Sequence, residues 1–296
     1  MHAPTQDNYP VTIHQLQTGV DWITVTCRTG DPQAQKFKDA TWHAMQVQAH
    51  IQRDSIKPYR FRGYEGMRVE GLAWGKRPDS YLAIASGPTA TQYWKLFMRH
   101  ATNITRLDLQ VTCALERPMI DLTQFYWSYL KNLPKTRKIT LLQNNGSGTT
   151  LYVGSRTSDQ FGRIYDKGIE SGKTPGPGEI WRYEVEYKAE RAKHTCNELF
   201  LRSCRRKPLS ANIAKTVYNW YSAREILPIF GEPPDGDCIA LQLKAEETTY
   251  ERKLNWLRTQ VRPTVQSLIP HNRTNVLLAL GLGDLLSDCQ ESEIVV

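Results

Sequence analysis

The segment FGRIYDKG, Phe161 to Gly168, sets an arginine, a tyrosine and a lysine at alternate positions of a short apolar stretch. Read as a strand, it places Arg163, Tyr165 and Lys167 on one face, because strand side chains alternate with period two. A tyrosine between two cations is either a packed aromatic or a nucleophile that faces a phosphate. The rest of the sequence decides between them.

Other segments alternate in the same way. In ITRLDLQVTC, residues 104–113, Leu107, Leu109 and Val111 point one way, and Arg106, Asp108, Gln110 and Thr112 point the other. In IWRYEVEYK, residues 180–188, Arg182, Glu184 and Glu186 oppose Tyr183, Val185 and Tyr187. VDWITVTCR, YEGMRVEGLAWGK, SYLAIASG, KITLLQNN and TTLYVGSR are further strand candidates, separated by polar or glycine-rich turns. DPQAQKFKDATWHAMQVQAHIQRD reads as a helix with Phe37, Trp42, Met45 and Val47 as core contacts. TATQYWKLFMRH reads as another, with Trp94, Phe97 and Met98 available for packing, and IDLTQFYWSYLKNL as a third. After about Lys193 helical patterns dominate, with a soft boundary around residues 201–210. The expectation is an α+β fold: a mainly antiparallel sheet domain over residues 1–205 with flanking helices, then a helical C-terminal region over 206–296.

The 296 residues carry a net charge of +8, and 40% are hydrophobic, which is enough for a real core. A basic balance favours polyanionic partners, nucleic acid first. Dense runs occur in KNLPKTRK (131–138) and LRSCRRKP (201–208). No apolar run approaches a membrane span and no secretory leader pattern is present, so a cytoplasmic protein without membrane association is expected. The six cysteines form no Cys-x-x-Cys pair and read as structural thiols in a reducing compartment. His-Glu-x-x-His, Gly-x-Ser-x-Gly and phosphate-loop motifs are absent, as is any His-x-His pair. His43 and His50 read as surface or packing residues.

If the three charged strand faces adjoin, they form a polar platform of acids and bases around a tyrosine. Phosphodiester transfer uses such a platform. Carboxylates hold a hard divalent cation, arginine and lysine bind phosphate, and a phenolate attacks. The phenol ionises near pH 10 when unperturbed, and a bound metal and nearby cations would favour its ionised form. Asp108 with Glu184 or Glu186 is the candidate metal site.

In order along the chain, VDWITVT, YEGMRVEGLAWG with LAIASG, TRLDLQVT, LYVGSRTSDQFGRIYDKG, WRYEVEYK and KLNWLRTQVRPTV resemble the replication initiation factor family, over roughly residues 19–265. That family comprises rolling-circle plasmid initiators, filamentous phage relatives and some conjugative relaxases. The resemblance implies tyrosine nicking and joining of origin DNA, single-stranded or cruciform, with a 5′-phosphotyrosyl intermediate and a free 3′-hydroxyl. It places the nucleophile on Tyr165, with Arg163 and Lys167 beside it. Tyr152 and Tyr183 are the competing tyrosines. Asp108, Glu184 and Glu186 become candidate ligands for Mg²⁺ or Mn²⁺, and Arg106, Arg156 and Arg182 become phosphate-binding positions. A homodimer and a host helicase partner are also implied. The family often has an aspartate where this chain has Thr112, which leaves open a weakened site or a non-catalytic DNA-binding protein. Many relatives carry an N-terminal helix-turn-helix, and a first strand near Asp21 leaves no room for one. DNA recognition is therefore expected in the helical C-terminal part, with Arg205, Arg206 and Lys207.

Overall fold

The computed structural model describes residues 13–116, 138–144, 148–171, 179–204, 208–233, 254 and 256–279. The chain divides into two compact units, Met1–Leu241 and Gln242–Val296.

The first unit is built on one ten-stranded sheet, ordered β2-β3-β4-β5-β1-β6-β10-β9-β8-β7, in which neighbouring strands pair antiparallel. The strands are β1 Ile13–Arg28, β2 Lys57–Phe61, β3 Tyr64–Val69, β4 Leu72–Lys76, β5 Ser80–Ser86, β6 Asn103–Leu115, β7 Ile139–Asn144, β8 Gly148–Val153, β9 Gln160–Asp166 and β10 Ile180–Lys188. The first strand begins at Ile13, well before the stretch 20–28 that its alternation marks. Its pairing with β6 shifts register between Val20 and Trp22, which leaves Asp21 as an extra residue at an irregular point of the strand.

The helices are α1 Ala34–Gln52, α2 Pro88–His100, α3 Lys167–Ser171, α4 Ala189–Cys204 and α5 Leu209–Ser222. In α1, Phe37, Thr41, Ala44, Met45 and Gln48 recur at helical spacing and are buried. Trp42, expected in the core, is 39% exposed because it falls on the opposite side of that stripe. Pro88 opens α2 directly after Gly87, at φ 58°, a turn that suits glycine and a first position that suits proline. Trp94 and Phe97 of α2 enter the core, and Met98 packs at its margin.

Leu107, Leu109 and Val111 of β6 and Tyr183, Val185 and Tyr187 of β10 are essentially inaccessible. They form one core with the apolar stripes of α1, α2, α4 and α5. Each such large side chain contributes about 1.5–3 kcal/mol through burial. Helix α5 docks closely on β9. A Cβ on Gly162 would meet the Trp220 ring at 2.4 Å, so the glycine of FGRIYDKG makes room for that indole. Cys27, Cys113 and Cys196 are free and buried, and burial pushes the Cys113 and Cys196 thiols up.

The helix expected over IDLTQFYWSYLKNL, and the basic residues Arg205, Arg206 and Lys207, lie outside the described residues. In the second unit, a π-helical turn at Leu257–Val261 leads into α6, Arg262–Ala279. Among the described residues no helix is long and apolar enough to cross a membrane.

Candidate active site

The three charged strand faces do adjoin. Strand β10 lies between β6 and β9, with Glu186 opposite Asp108, Glu184 opposite Gln110 and Arg182 opposite Thr112. On the other side Glu184 faces Arg163, and Arg182 faces Tyr165. Directly paired residues share a face, so Arg106, Asp108, Gln110, Thr112, Arg163, Tyr165, Arg182, Glu184 and Glu186 stand together opposite the helix-packed core.

Tyr165 is half-buried, and its hydroxyl donates to Glu184 Oε1 at 2.5 Å. Burial raises the phenol above its ordinary value, the Glu184 charge raises it further, and Arg182 opposes both. Without a bound metal the surroundings favour the neutral phenol, and its hydroxyl is a hydrogen-bond donor. The strand ends at Asp166 and Lys167 opens α3, where its ammonium pairs with Glu170 and lies 5.8 Å over the Tyr165 ring rather than at the hydroxyl.

Arginines knit the acids together. Arg163 pairs with Glu184 and reaches Asp108 at 3.7 Å. Arg106 grips both oxygens of Asp108, at 2.9 and 2.6 Å, and meets Glu186 at 3.0 Å. Lys188 also meets Glu186, at 2.9 Å. Asp108 is 1% exposed, and burial pushes its carboxyl up to about 7 despite Arg106. Burial weighs against the charged form of Arg163, but Glu184 and Asp108 outweigh it and hold its guanidinium above the usual range.

Thr112 has a definite task. Its hydroxyl donates to Gln110 Oε1 at 2.6 Å and accepts from Arg182 Nε at 2.9 Å. Arg182 also pairs with Asp21 at 3.0 Å and approaches Glu184 at 3.8 Å. Asp21 escapes sequence reading because it is a lone acid in an apolar strand, and only the register shift turns it towards Arg182. Tyr221 of α5 escapes it too. Its hydroxyl lies 2.8 and 2.7 Å from the carbonyl oxygens of Arg163 and Glu184, which pins α5 to both strands.

A cleft of about 1340 Å³ opens over this face, lined by Asp21, Trp22, Arg106, Tyr152, Arg163, Tyr165, Lys167, Arg182 and Glu184 among others. Of the competing tyrosines, Tyr183 is wholly buried on the helix-packed face. Tyr152 lines the cleft, but its hydroxyl accepts from Arg156 at 2.8 Å.

A family model described as replication initiation factor matches residues 123–277, just over half of the chain. The chain belongs to the replication initiation factor family. This family member is also similar to a protein of Bacillus subtilis (strain 168) named as DNA relaxase NicK. The two are 24% identical over 258 residues, which span 77% of this chain and 69% of the relative. A solved rolling circle replication initiator protein from Geobacillus stearothermophilus aligns at 20% identity with a TM-score of 0.47, over 70% of this chain and 85% of that one.

The carboxylates are hard oxygen donors of the class that suits Mg²⁺ or Mn²⁺, which fits a cation. Glu184 Oε2 is buried and pairs with the Arg163 guanidinium, which a metal would have to displace or share. The acids do not form a closed cage, however: among the described residues no three Asp, Glu, His or Cys side chains surround one point. Glu186 is turned to Arg106 and Lys188, whereas Asp108 and Glu184 both meet Arg163.

Proposed function

We propose that the protein is a rolling-circle replication initiator that nicks and rejoins one DNA strand through Tyr165. The single observation that carries this reading is the short hydrogen bond from the Tyr165 hydroxyl to Glu184, set in a cleft walled by arginines. A buried neutral phenol is a poor nucleophile, so the proton must leave as the oxygen attacks. Glu184 stands where it can take it.

As Tyr165 Oη bonds to phosphorus, its proton passes to Glu184. The bond from phosphorus to the 3′ oxygen breaks, and that oxygen gains a proton from solvent on the far side. The products are a 5′-phosphotyrosyl link and a free 3′-hydroxyl. In the reverse direction a 3′-hydroxyl attacks the phosphotyrosine and Glu184 returns the proton. Arg182 and Arg163 line the cleft on either side of Glu184 and offer donors to the charge that develops on phosphate oxygens. Thr112 and Asp21 hold Arg182 in place. Lys167, at the mouth of α3, is placed to meet a flanking phosphate, as is Arg156 beside Tyr152.

Glu184 and Asp108, with Glu186 as their neighbour, would hold Mg²⁺ or Mn²⁺. One or two protein carboxylates completed by water and phosphate is an ordinary magnesium arrangement. When bound, the ion supplies Lewis-acid polarisation of the phosphoryl group.

The test is incubation of Tyr165→Phe with single-stranded DNA from its own replicon. Loss of the detergent-stable protein–DNA adduct is expected, and adduct formed at the wild-type rate overturns the assignment. A conjugative relaxase of the same chemistry is the second reading, favoured by the likeness to the protein named as a relaxase. Nicking confined to a transfer origin, with none at a replication origin, would select it. Homodimerisation and a host helicase partner belong to the proposal and are checked by sedimentation and by pull-down.

A further inference from the structure

The face that bears Tyr165 continues to the opposite edge of the sheet. In-register pairs run Lys57 to Arg68, Ala73, Ile84, Thr24, Arg106 and Lys188, from β2 to β10. One cross-strand row therefore starts with two cations at the edge and ends with two beside the candidate site. Residues 53–77 hold seven lysines and arginines against three carboxylates, a surplus equal to half the chain's net charge of +8.

Part of this charge is held open. Lys57 pairs with Asp54 at 2.9 Å and Arg60 with Glu65 at 3.1 Å, both at the surface, whereas among the described residues Arg62, Arg68 and Arg77 enter no salt bridge. Each instead lies over an aromatic ring: Arg62 over Phe61 at 5.1 Å, Arg68 over Tyr59 at 6.0 Å and Arg77 over Tyr64 at 4.3 Å. A guanidinium propped on a ring face keeps its hydrogen-bond donors for another acceptor. A groove of about 290 Å³ lies beside them, lined by Lys57, Arg68 and Tyr59 together with the acids Asp54 and Glu70, and its Trp22 and Ser86 also line the large cleft.

The turn between β2 and β3 adds an independent sign. Phe61 pairs with Tyr64, so Arg62 and Gly63 form a two-residue hairpin loop, with φ of 48° and 78°. Such a loop prefers Asn-Gly or Asp-Gly, because a left-handed φ strains a long side chain. An arginine there trades local stability for a cation at the tip.

We propose that the β2–β3 wing is a phosphate clamp for double-stranded DNA flanking the nicked strand. This inference rests on the reading of the cleft as a DNA nicking site. From β9 to β2 is seven strand spacings, about 34 Å at about 4.8 Å each. That length is about one turn of B-DNA. The wing offers guanidinium and ammonium groups rather than a reading helix, so it binds backbone without choosing sequence.

The test uses the full chain as Tyr165→Phe, so that no nicking interferes, and follows binding across a salt series. The probes are a duplex of about two helical turns carrying a single-stranded arm, and the arm alone. Lys57→Gln with Arg68→Gln should lower the salt slope on the duplex-bearing probe by about 2, at about 0.9 per lost phosphate contact. Binding of the arm alone should not change. Arg62→Asn should raise the melting temperature and still weaken duplex binding. Unchanged duplex affinity and slope in these variants, or an equal loss on the arm alone, would overturn the clamp. Adduct formation by the nucleophile-intact protein, measured separately, reports on the nicking reading whatever the clamp does.

Discussion

The Tyr165 hydroxyl on β9 and the Glu184 carboxylate on β10 share a 2.5 Å hydrogen bond, and Glu184 is 2% exposed. Arg163 pairs with this buried carboxylate and Arg182 approaches it. In the proposed reaction it is the group that takes the phenol's proton.

Glu184→Gln keeps the shape and removes the base. We predict that single-turnover adduct formation falls by about 10²–10⁴, the usual contribution of a positioned base. DNA binding should stay near wild type. A rate within tenfold of wild type would assign the proton to another group.

Metal retention is a second readout, and Asp108→Asn tests it without removing the base. Asp108→Asn and Glu184→Gln should each weaken Mn²⁺ binding measured by calorimetry, and Glu186→Ala should weaken it less, because Glu186 faces Arg106 and Lys188. Equal loss in all three variants would return Glu186 to the ligand set.

Asp108 also makes stability depend on pH. Its carboxyl is pushed up to about 7 in the fold, chiefly by burial, against about 3.9 in an unfolded chain. Between those values the folded state binds the extra proton, so stability falls as pH rises from about 4 to about 7 and then levels. With a chelator present, denaturant titrations should show that slope, and Asp108→Asn should flatten it. A slope unchanged by the substitution would place its origin elsewhere.

Thr112→Val preserves volume but removes the acceptor for Arg182 Nε and the donor to Gln110. We predict a loss of about 1 kcal/mol in stability. Adduct formation should slow by about tenfold, equivalent to about 1.4 kcal/mol of transition-state stabilisation. A wild-type rate would show that Arg182 needs no such support.

Gly162→Ala presses a methyl against the Trp220 ring. A cost of about 1–3 kcal/mol is expected from overpacking. It should shrink in a Trp220→Leu background, which a double-mutant cycle measures. An undiminished cost would point to the strand rather than to the docking of α5.

The strand alternation made the α+β fold class legible, and the same period grouped the candidate site residues. Alternation in residues 104–113 and 180–188 sorted Asp108, Glu184 and Glu186 onto one face, because a period of two needs only local information. Register is not local. Nothing in the sequence says that Glu184 meets Tyr165 while Glu186 meets Arg106, since that depends on how far β10 slides along β6 and β9. Lys167 opens α3 instead of extending the strand, so the helix start and not the alternation sets its side chain, which still lines the cleft beside the Tyr165 ring. Asp21 was hidden by a register shift, and the role of Thr112 by its dependence on Arg182 from another strand. Trp42 shows the converse error: an aromatic in a helix invites a core assignment, but its position on the helix circumference decides.

The most direct test of the account is mass spectrometry of the peptide left on DNA after the wild-type protein is incubated with single-stranded DNA from its own replicon and Mg²⁺ or Mn²⁺. The account predicts a nucleotide joined through phosphate to Tyr165. A link at Tyr152 or any other residue, or no covalent product in either metal, would contradict it.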